Sequence, residues 1–408
     1  MTAHFVGQYE AFAGNGAAGA PPWLRELRER GIARFKQVGF PSTRSEEWRF
    51  TSVQPIAEMP FTLSNTRSEA GRVPTGVTVT TLAEAVQRWP ELVRSHLGRY
   101  ALVDANPFTA LATAFLGDGI FVHVPPRTVV EEPIHISTRM LAGAARPMAH
   151  PRLLIVIERG AQAKLVEAYE AASAGPSLTN VVTEIVLEDG AQLEVCREQR
   201  DSERSYHVAT TQSHQGRDSR LVFTTVALGG ALVRHDINAV LDGTGAYLVL
   251  NGLSVLRGHQ HVDHHTTIVH ARPHGESHEY FNGVFDDESR GVFNGRIIVR
   301  PGAQRTDSKQ TNNNLILSDA ARADSQPQLE IYADDVKCTH GSTVGPLDET
   351  ALFYLKSRGI GAAEARGLLT YGFGAEILDR VTIPGVRARL DRLIRGRLGV
   401  ADLEPGAA

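Results

Sequence analysis

The residues best suited to chemistry are Cys338 and His340, two apart in the run Val336-Lys337-Cys338-Thr339-His340-Gly341. They follow a β-rich stretch over residues 329–336, so a continuing strand would project both side chains from one face, about 7 Å apart. A thiolate and an imidazole together suit iron, zinc or an iron–sulfur cluster, because both donate well to borderline-soft metals. Two ligands do not close a site that usually takes about four. The chain holds 2 cysteines, and Cys196 is remote in sequence, so the missing ligands must come from a partner chain or from the bound species. The plainer alternative makes Cys338 a small buried hydrophobe and His340 a hydrogen-bonded loop residue. A nucleophile-and-base pair is a further alternative, but no third orienting residue or oxyanion-hole motif accompanies the two.

Histidines crowd into one other segment, at His259, His261, His264, His265, His270, His274 and His278. On an extended strand His259, His261, Asp263 and His265 share a face, which would present either a metal site or a solvated row. The solvated row is preferred, since no helical His-Glu-x-x-His or other zinc spacing is present. Cys196 alternates onto the face opposite Leu193 and Val195 and is expected to be a partly exposed or side-packed thiol without a role. Lys36, Lys164, Lys309, Lys337 and Lys356 are the lysines, and none follows a glycine. No Walker A loop exists, so the chain is expected to bind no ATP and any nucleotide-driven step belongs to a partner. A Gly-x-Ser-x-Gly elbow is likewise missing. Asp286-Asp287 and Asp334-Asp335 are adjacent pairs that would face opposite ways on a strand, which is no glycosidase arrangement. None of these arrangements supplies a catalytic site, and no catalytic role is expected.

The elements that must position these residues fall into three regions. Residues 1–100 read as an N-terminal helical region, 101–340 as a β-rich core and 341–408 as a C-terminal helical domain. Near the start, Trp23, Leu24, Leu27 and Ile32 have spacings that a helix collects on one side. Pro41 would stop that helix and Ser45 would cap a further turn, giving a packed helical lid anchored by Trp48. The core consists of short β-rich runs such as 121–124, 153–157, 181–187, 221–228, 247–250 and 296–299, with no long helical pattern between them. Gly160-Ala161-Gln162, Gly190-Ala191-Gln192 and Gly302-Ala303-Gln304 recur directly after apolar runs. Strand, small-residue turn and strand in repetition predict stacked coils, a β-helix or similar solenoid, with a large β-sandwich as the alternative. Beyond Gly345 the pattern turns helical. Asp348 caps one helix that ends at Arg358 and Gly359, others span 362–370 and 374–381, and Pro384 starts a last one with Val386, Leu390, Leu393 and Ile394 as its apolar stripe.

Composition narrows the classes. A hydrophobic fraction of 42% over 408 residues is that of a soluble globular chain, and no apolar run reaches the length of a membrane helix. A formal charge of -4 gives no global reason to expect nucleic acid or an anionic membrane as partner. The first twenty residues lack a basic stretch followed by an apolar core, so no secretory signal is expected and the cytoplasm is the default compartment.

Three further runs carry a family likeness: Gly291-Val292-Phe293-Asn294-Gly295-Arg296, residues 306–318 from Thr306-Asp307-Ser308-Lys309 to Leu317-Ser318, and residues 323–331 around Asp324-Ser325-Gln326-Pro327. With residues 333–341, 352–360 and the N-terminal Pro41, Arg44, Glu47 and Trp48, they resemble the SufB/SufD family of iron–sulfur cluster assembly proteins. The Val-Lys-Cys-x-His-Gly form is similar to the SufD side of that family, since a SufB-like chain would carry further cysteines upstream. The resemblance implies a right-handed parallel β-helix between helical ends. It implies a complex with SufB and the SufC ATPase, with a homodimer of the isolated chain as the other assembly. His340 would be a ligand to iron or a transient iron–sulfur cluster at the SufB interface, and Cys338 an adjacent thiol. The C-terminal helices, with Leu352, Phe353, Leu355, Arg358, Leu368, Leu369 and Tyr371, would dock SufC. Reduced flavin is linked with the family's complexes, although no flavin-binding motif is visible. A β-helix polysaccharide-active enzyme and a SufB-like paralogue are the competing functions.

Overall fold

In the central region the chain lays down strands of about ten residues in alternation on two sheets, each strand pairing in parallel with the strand two places on. Leu178–Leu187, Tyr206–Gln215, Leu232–Leu241, His261–His270, Arg290–Val299 and Arg322–Ile331 follow one another in the first sheet. Gln192–Gln199, Arg220–Ala227, Tyr247–Leu256, Glu276–Phe285, Asp307–Ile316 and Lys337–Gly345 follow one another in the second. The computed structural model describes residues 2–15, 19–64, 66–141, 144–171 and 175–400. Among these residues the sheets have 11 and 9 strands. The β-solenoid expected from the repeated turns is thus the fold, and the sandwich alternative falls because a sandwich pairs its strands mainly in antiparallel fashion.

The period-2 pattern explains why the coils close. From the second sheet Leu193, Val195, Leu221, Phe223, Leu248 and Leu250 point inward, and from the first Val181, Ile185, Ile237, Ala239, Ile268 and Ile297 meet them in one continuous buried core. The recurring Gly-Ala-Gln tripeptides are corners of the coil. Gly160 and Gly190 take the left-handed φ values of 66° and 70° that the turn demands, and Ala161 and Ala191 bury a methyl in the corner.

The two ends of the solenoid differ. At the N-terminal end, Thr66–Ala70 and Thr78–Thr81 pair antiparallel with Ile134–Met140 and Gly119–Val124, and helices cover this end. The segment carrying Trp48 runs as a strap over the outer face of the first sheet. Trp48 stacks on Phe108 with ring centroids 5.5 Å apart, and the Arg234 guanidinium lies over the Trp48 ring, 3.8 Å from its centroid. At the C-terminal end Arg322–Ile331 and Lys337–Gly345 are each paired on one side only. The chain leaves by three helices, Glu349–Ser357, Ala362–Leu378 and Val386–Leu398, which fold back on the outer face of the second sheet. There Ile377, Leu378, Val386, Leu390 and Ile394 bury against Val226, Leu253, Val255 and Val284.

Several local expectations change. A helix at Thr2–Asn15 had no sequence signal strong enough to predict it, and Pro107–Ala114 is a buried helix inside the segment read as strands. Helices expected at 362–370 and 374–381 are one helix, because Thr370, Gly374, Ile377 and Leu378 carry a single buried face across the supposed break. Cys196 is buried at 1% exposure rather than partly exposed, since the C-terminal helices cover the outer sheet face on which it lies. Burial pushes its thiol far above the usual range, with Glu198 adding to the effect. Among the described residues no helix is long and apolar enough to cross a membrane.

Candidate functional site

Cys338 and His340 sit on the last strand of the second sheet, Lys337–Gly345. Cys338 packs against the interior core, so the strand's alternation puts His340 and Ser342 on the same inward side. The rim of the solenoid is completed by the last strand of the first sheet, and Ser342 Oγ donates to Ser325 Oγ at 2.9 Å across it. His340 is exposed and Cys338 half-buried, because no further coil lies above them. Burial, reinforced by Asp307, pushes the Cys338 thiol up. An arriving cation would reverse that balance, since it favours the thiolate.

Under each of these residues runs a column of polar side chains set by the parallel register. Cys338 stacks on Ser308, and Ser308 on Ser277. Ser277 Oγ lies 2.7 Å from Ser308 Oγ and 2.8 Å from His270 Nε2. His340 stacks on Gln310, and Gln310 on Glu279. Gln310 Nε2 donates to Glu279 Oε2 at 2.5 Å. Both are fully buried, and burial raises the Glu279 carboxyl to about 7, with Thr266 and Gln310 working the other way. Deeper coils fill these same positions with Leu248 and Leu250. Along these two columns the polar side chains are thus confined to the open end, whereas elsewhere in the interior Arg197, Glu167, Thr183 and His235 form a separate buried network.

The histidine-rich segment does not form one cluster. His261, Asp263 and His265 face outward under the N-terminal strap, where Thr51 Oγ1 donates to Asp263 Oδ2 at 2.5 Å and lies 2.9 Å from His261 Nε2. His264 and His270 point inward, where burial lowers both to about 4. His259 is in a turn with its side chain 83% exposed, beside Glu288, and His278 is on the other sheet, 2.7 Å from Glu276. Among the described residues no group of three or more His, Cys, Asp or Glu side chains is arranged to hold a metal ion. Of the expected row, His259 is solvated in its turn, whereas His261, Asp263 and His265 are largely covered beside the strap.

The family model described as "SUF system FeS cluster assembly, SufBD core domain" matches residues 140–373, more than half of the chain. The chain belongs to the SufB/SufD family. A second model, "SufBD protein N-terminal region", matches residues 61–136. An iron–sulfur cluster assembly SufBD family protein of Synechocystis is 32% identical over 401 residues, covering 88% of this chain and 87% of that one. The iron–sulfur cluster assembly protein SufD of Escherichia coli is 27% identical over 402 residues, covering 90% and 91%. The SufD of Bacillus subtilis is 25% identical over 415 residues, covering 93% and 94%.

As a SufB/SufD family member the chain serves iron–sulfur cluster assembly, and the pair read first from the sequence lies on the rim of its open end. The residues read as a docking surface are spread over the helical domain. Phe353 is 72% exposed and Arg358 is exposed, its guanidinium over Tyr354. Leu352 is buried, Leu355 and Leu368 are half-buried, and Leu369 and Tyr371 pack toward the core beneath the helices. Tyr371 also donates to Asp391. Sequence reading missed Glu279 and Gln310. Their one available signal was a charged and an amide residue at inward positions where the preceding coils carry Leu250 and Phe223.

Proposed function

We propose that this chain is the SufD-type scaffold subunit of an iron–sulfur cluster assembly complex in the cytoplasm. It joins SufB through the open end of its solenoid, and His340, with Cys338 beside it, supplies part of a shared site for iron or a nascent cluster. The observation that carries this reading is the position of both residues on an uncapped rim of two strands, each with an unpaired edge. Free N–H and C=O groups along such an edge favour the addition of another chain's strands. A second chain laid on this rim would bring its own side chains within reach of His340, which answers the shortage of ligands in this one. Iron or the cluster is cargo here, so the site need not be closed by one chain.

His340→Ala is expected to leave fold and complex intact while cluster formation falls roughly tenfold, the scale on which a lost ligand or its support weakens a metal site. Anaerobic reconstitution of the purified complex followed by absorption spectroscopy measures this, and an unchanged yield would sink the ligand role. Cys338→Ala should have the smaller effect, because its thiol is held protonated until metal arrives.

The helical domain is the proposed seat of the SufC ATPase, with Phe353 as its most exposed apolar side chain. Phe353→Asp should shift stability by no more than about 0.5 kcal/mol and weaken ATPase co-purification roughly tenfold or more, as removal of an aromatic anchor does. Retention of the ATPase at the wild-type ratio would remove Phe353 from the interface.

A further inference from the structure

Glu279 is an expensive residue to keep where it is. Its carboxyl is fully buried, only the neutral side chains of Thr266 and Gln310 act to stabilise its charged form, and no cation offsets it. Its Oε2 accepts the amide N–H of Gln310, which fixes the amide the other way round for the coil above: the carbonyl Oε1 of Gln310 is buried and without a partner. The amide lies against Gly295 of the facing sheet, which makes room for it: a Cβ there would come 2.2 Å from its nitrogen. The next residue along the column from Gln310 is His340.

We propose that Gln310 is a positioning residue for His340, its amide oxygen accepting a ring N–H of the histidine while Glu279 holds the amide in that orientation. The other ring nitrogen is then the one presented to cargo at the rim. This inference rests on the reading of His340 as a ligand and extends it into the interior. Metal-binding histidines generally hand their second nitrogen to a carboxylate or carbonyl, which fixes the tautomer and the ring direction. Here a carboxylate would act through an intervening amide. This column differs from its own continuation beneath: the acid and the amide stand where the preceding coils carry Leu250 and Phe223, and Gly295 opposite leaves room for the amide.

Direct nitrogen spectroscopy of the full chain, labelled with ¹⁵N-histidine at pH 8, tests the proposal, with His340→Ala used to assign the signal. At that pH Glu279 is ionised, since its carboxyl titrates at about 7. In wild type, His340 should favour one neutral tautomer by roughly five- to tenfold beyond the preference of free imidazole, the ratio that one net hydrogen bond supports. Gln310→Met, which keeps the volume and removes the acceptor, should return the ratio to that of free imidazole. Glu279→Gln, an isosteric change, should lower it part of the way, because the amide of Gln310 is then free to turn. An identical ratio in wild type and Gln310→Met overturns the proposal. Cluster yield in the reconstituted complex separates this result from the parent reading. If His340→Ala leaves the yield unchanged, the ligand role fails whatever the tautomer ratio. If His340→Ala lowers the yield and Gln310→Met leaves both yield and tautomer untouched, only the positioning role fails.

Discussion

Arg234→Met is expected to cost the fold about 3–5 kcal/mol, the range for breaking a buried ion pair from one side. Arg234 is 1% exposed. Its Nη1 donates to Asp263 Oδ2 and to the Glu47 carbonyl, both at 2.7 Å, and its Nη2 donates to Asp236 Oδ1 at 2.8 Å. Burial works against the charged form of Arg234, but Asp236 and Asp263 outweigh it and raise its affinity for the proton. Burial likewise opposes ionised Asp263, yet Arg234, His265 and Thr51 hold its carboxyl well below the usual carboxylate range. Methionine would fill the space and leave Asp263 buried under the strap without the Arg234 cation. A depressed carboxyl contributes stability that is present above its unfolded value near 4 and disappears as pH falls. The gap between wild type and variant should therefore be widest at neutral pH and narrow below about pH 4. Urea unfolding at pH 7 and at pH 3.5 measures both parts, and a loss below 1 kcal/mol at pH 7 would refute the account. Adding Asp263→Asn to the variant should recover part of the loss.

Glu279→Gln should stabilise the chain, and only at the upper end of the pH range. The carboxyl titrates at about 7 in the fold against 4.5 in its absence. Below 4.5 both states hold the proton and the substitution is neutral. Between 4.5 and 7 the unfolded chain binds fewer protons than the fold, so wild-type stability declines as pH rises; above 7 the full cost applies. At about 1.4 kcal/mol for each tenfold in proton affinity, the variant should gain roughly 3 kcal/mol at pH 8 and nothing at pH 4. Unfolding midpoints at the two pH values decide this, and a gain independent of pH would mean that the carboxyl titrates normally. A residue that weakens its own fold in this way is one that function, not packing, retains.

What the sequence made legible follows from how local each signal is. The solenoid could be read because its corners repeat a tripeptide whose glycine and alanine have local reasons to be there. Cys338 and His340 could be placed on one face because two residues apart on a strand is a local relation. The histidine segment was read as one face because strand alternation was applied through the turn that holds His259, while what covers His261 and His265 is a strap some two hundred residues away in sequence. Cys196 was misplaced for the same reason: alternation put it on the outer face, and only the return of the C-terminal helices buries it. The pairing of Glu279 with Gln310 depends on register between coils, which joins neighbours about thirty residues apart, and either strand alone shows no more than a polar residue at an inward position.

The two ends of the solenoid bear on the valence of the molecule. A coil whose two ends matched could stack head to tail without limit, and its unpaired strands would template fibres. Here the outermost strands of the N-terminal end, Thr66–Ala70 and Thr78–Thr81, run antiparallel to their neighbours, so the ends do not match and a parallel ladder cannot continue from one copy to the next. In the proposed complex, association through the C-terminal rim therefore favours a pair over a fibre.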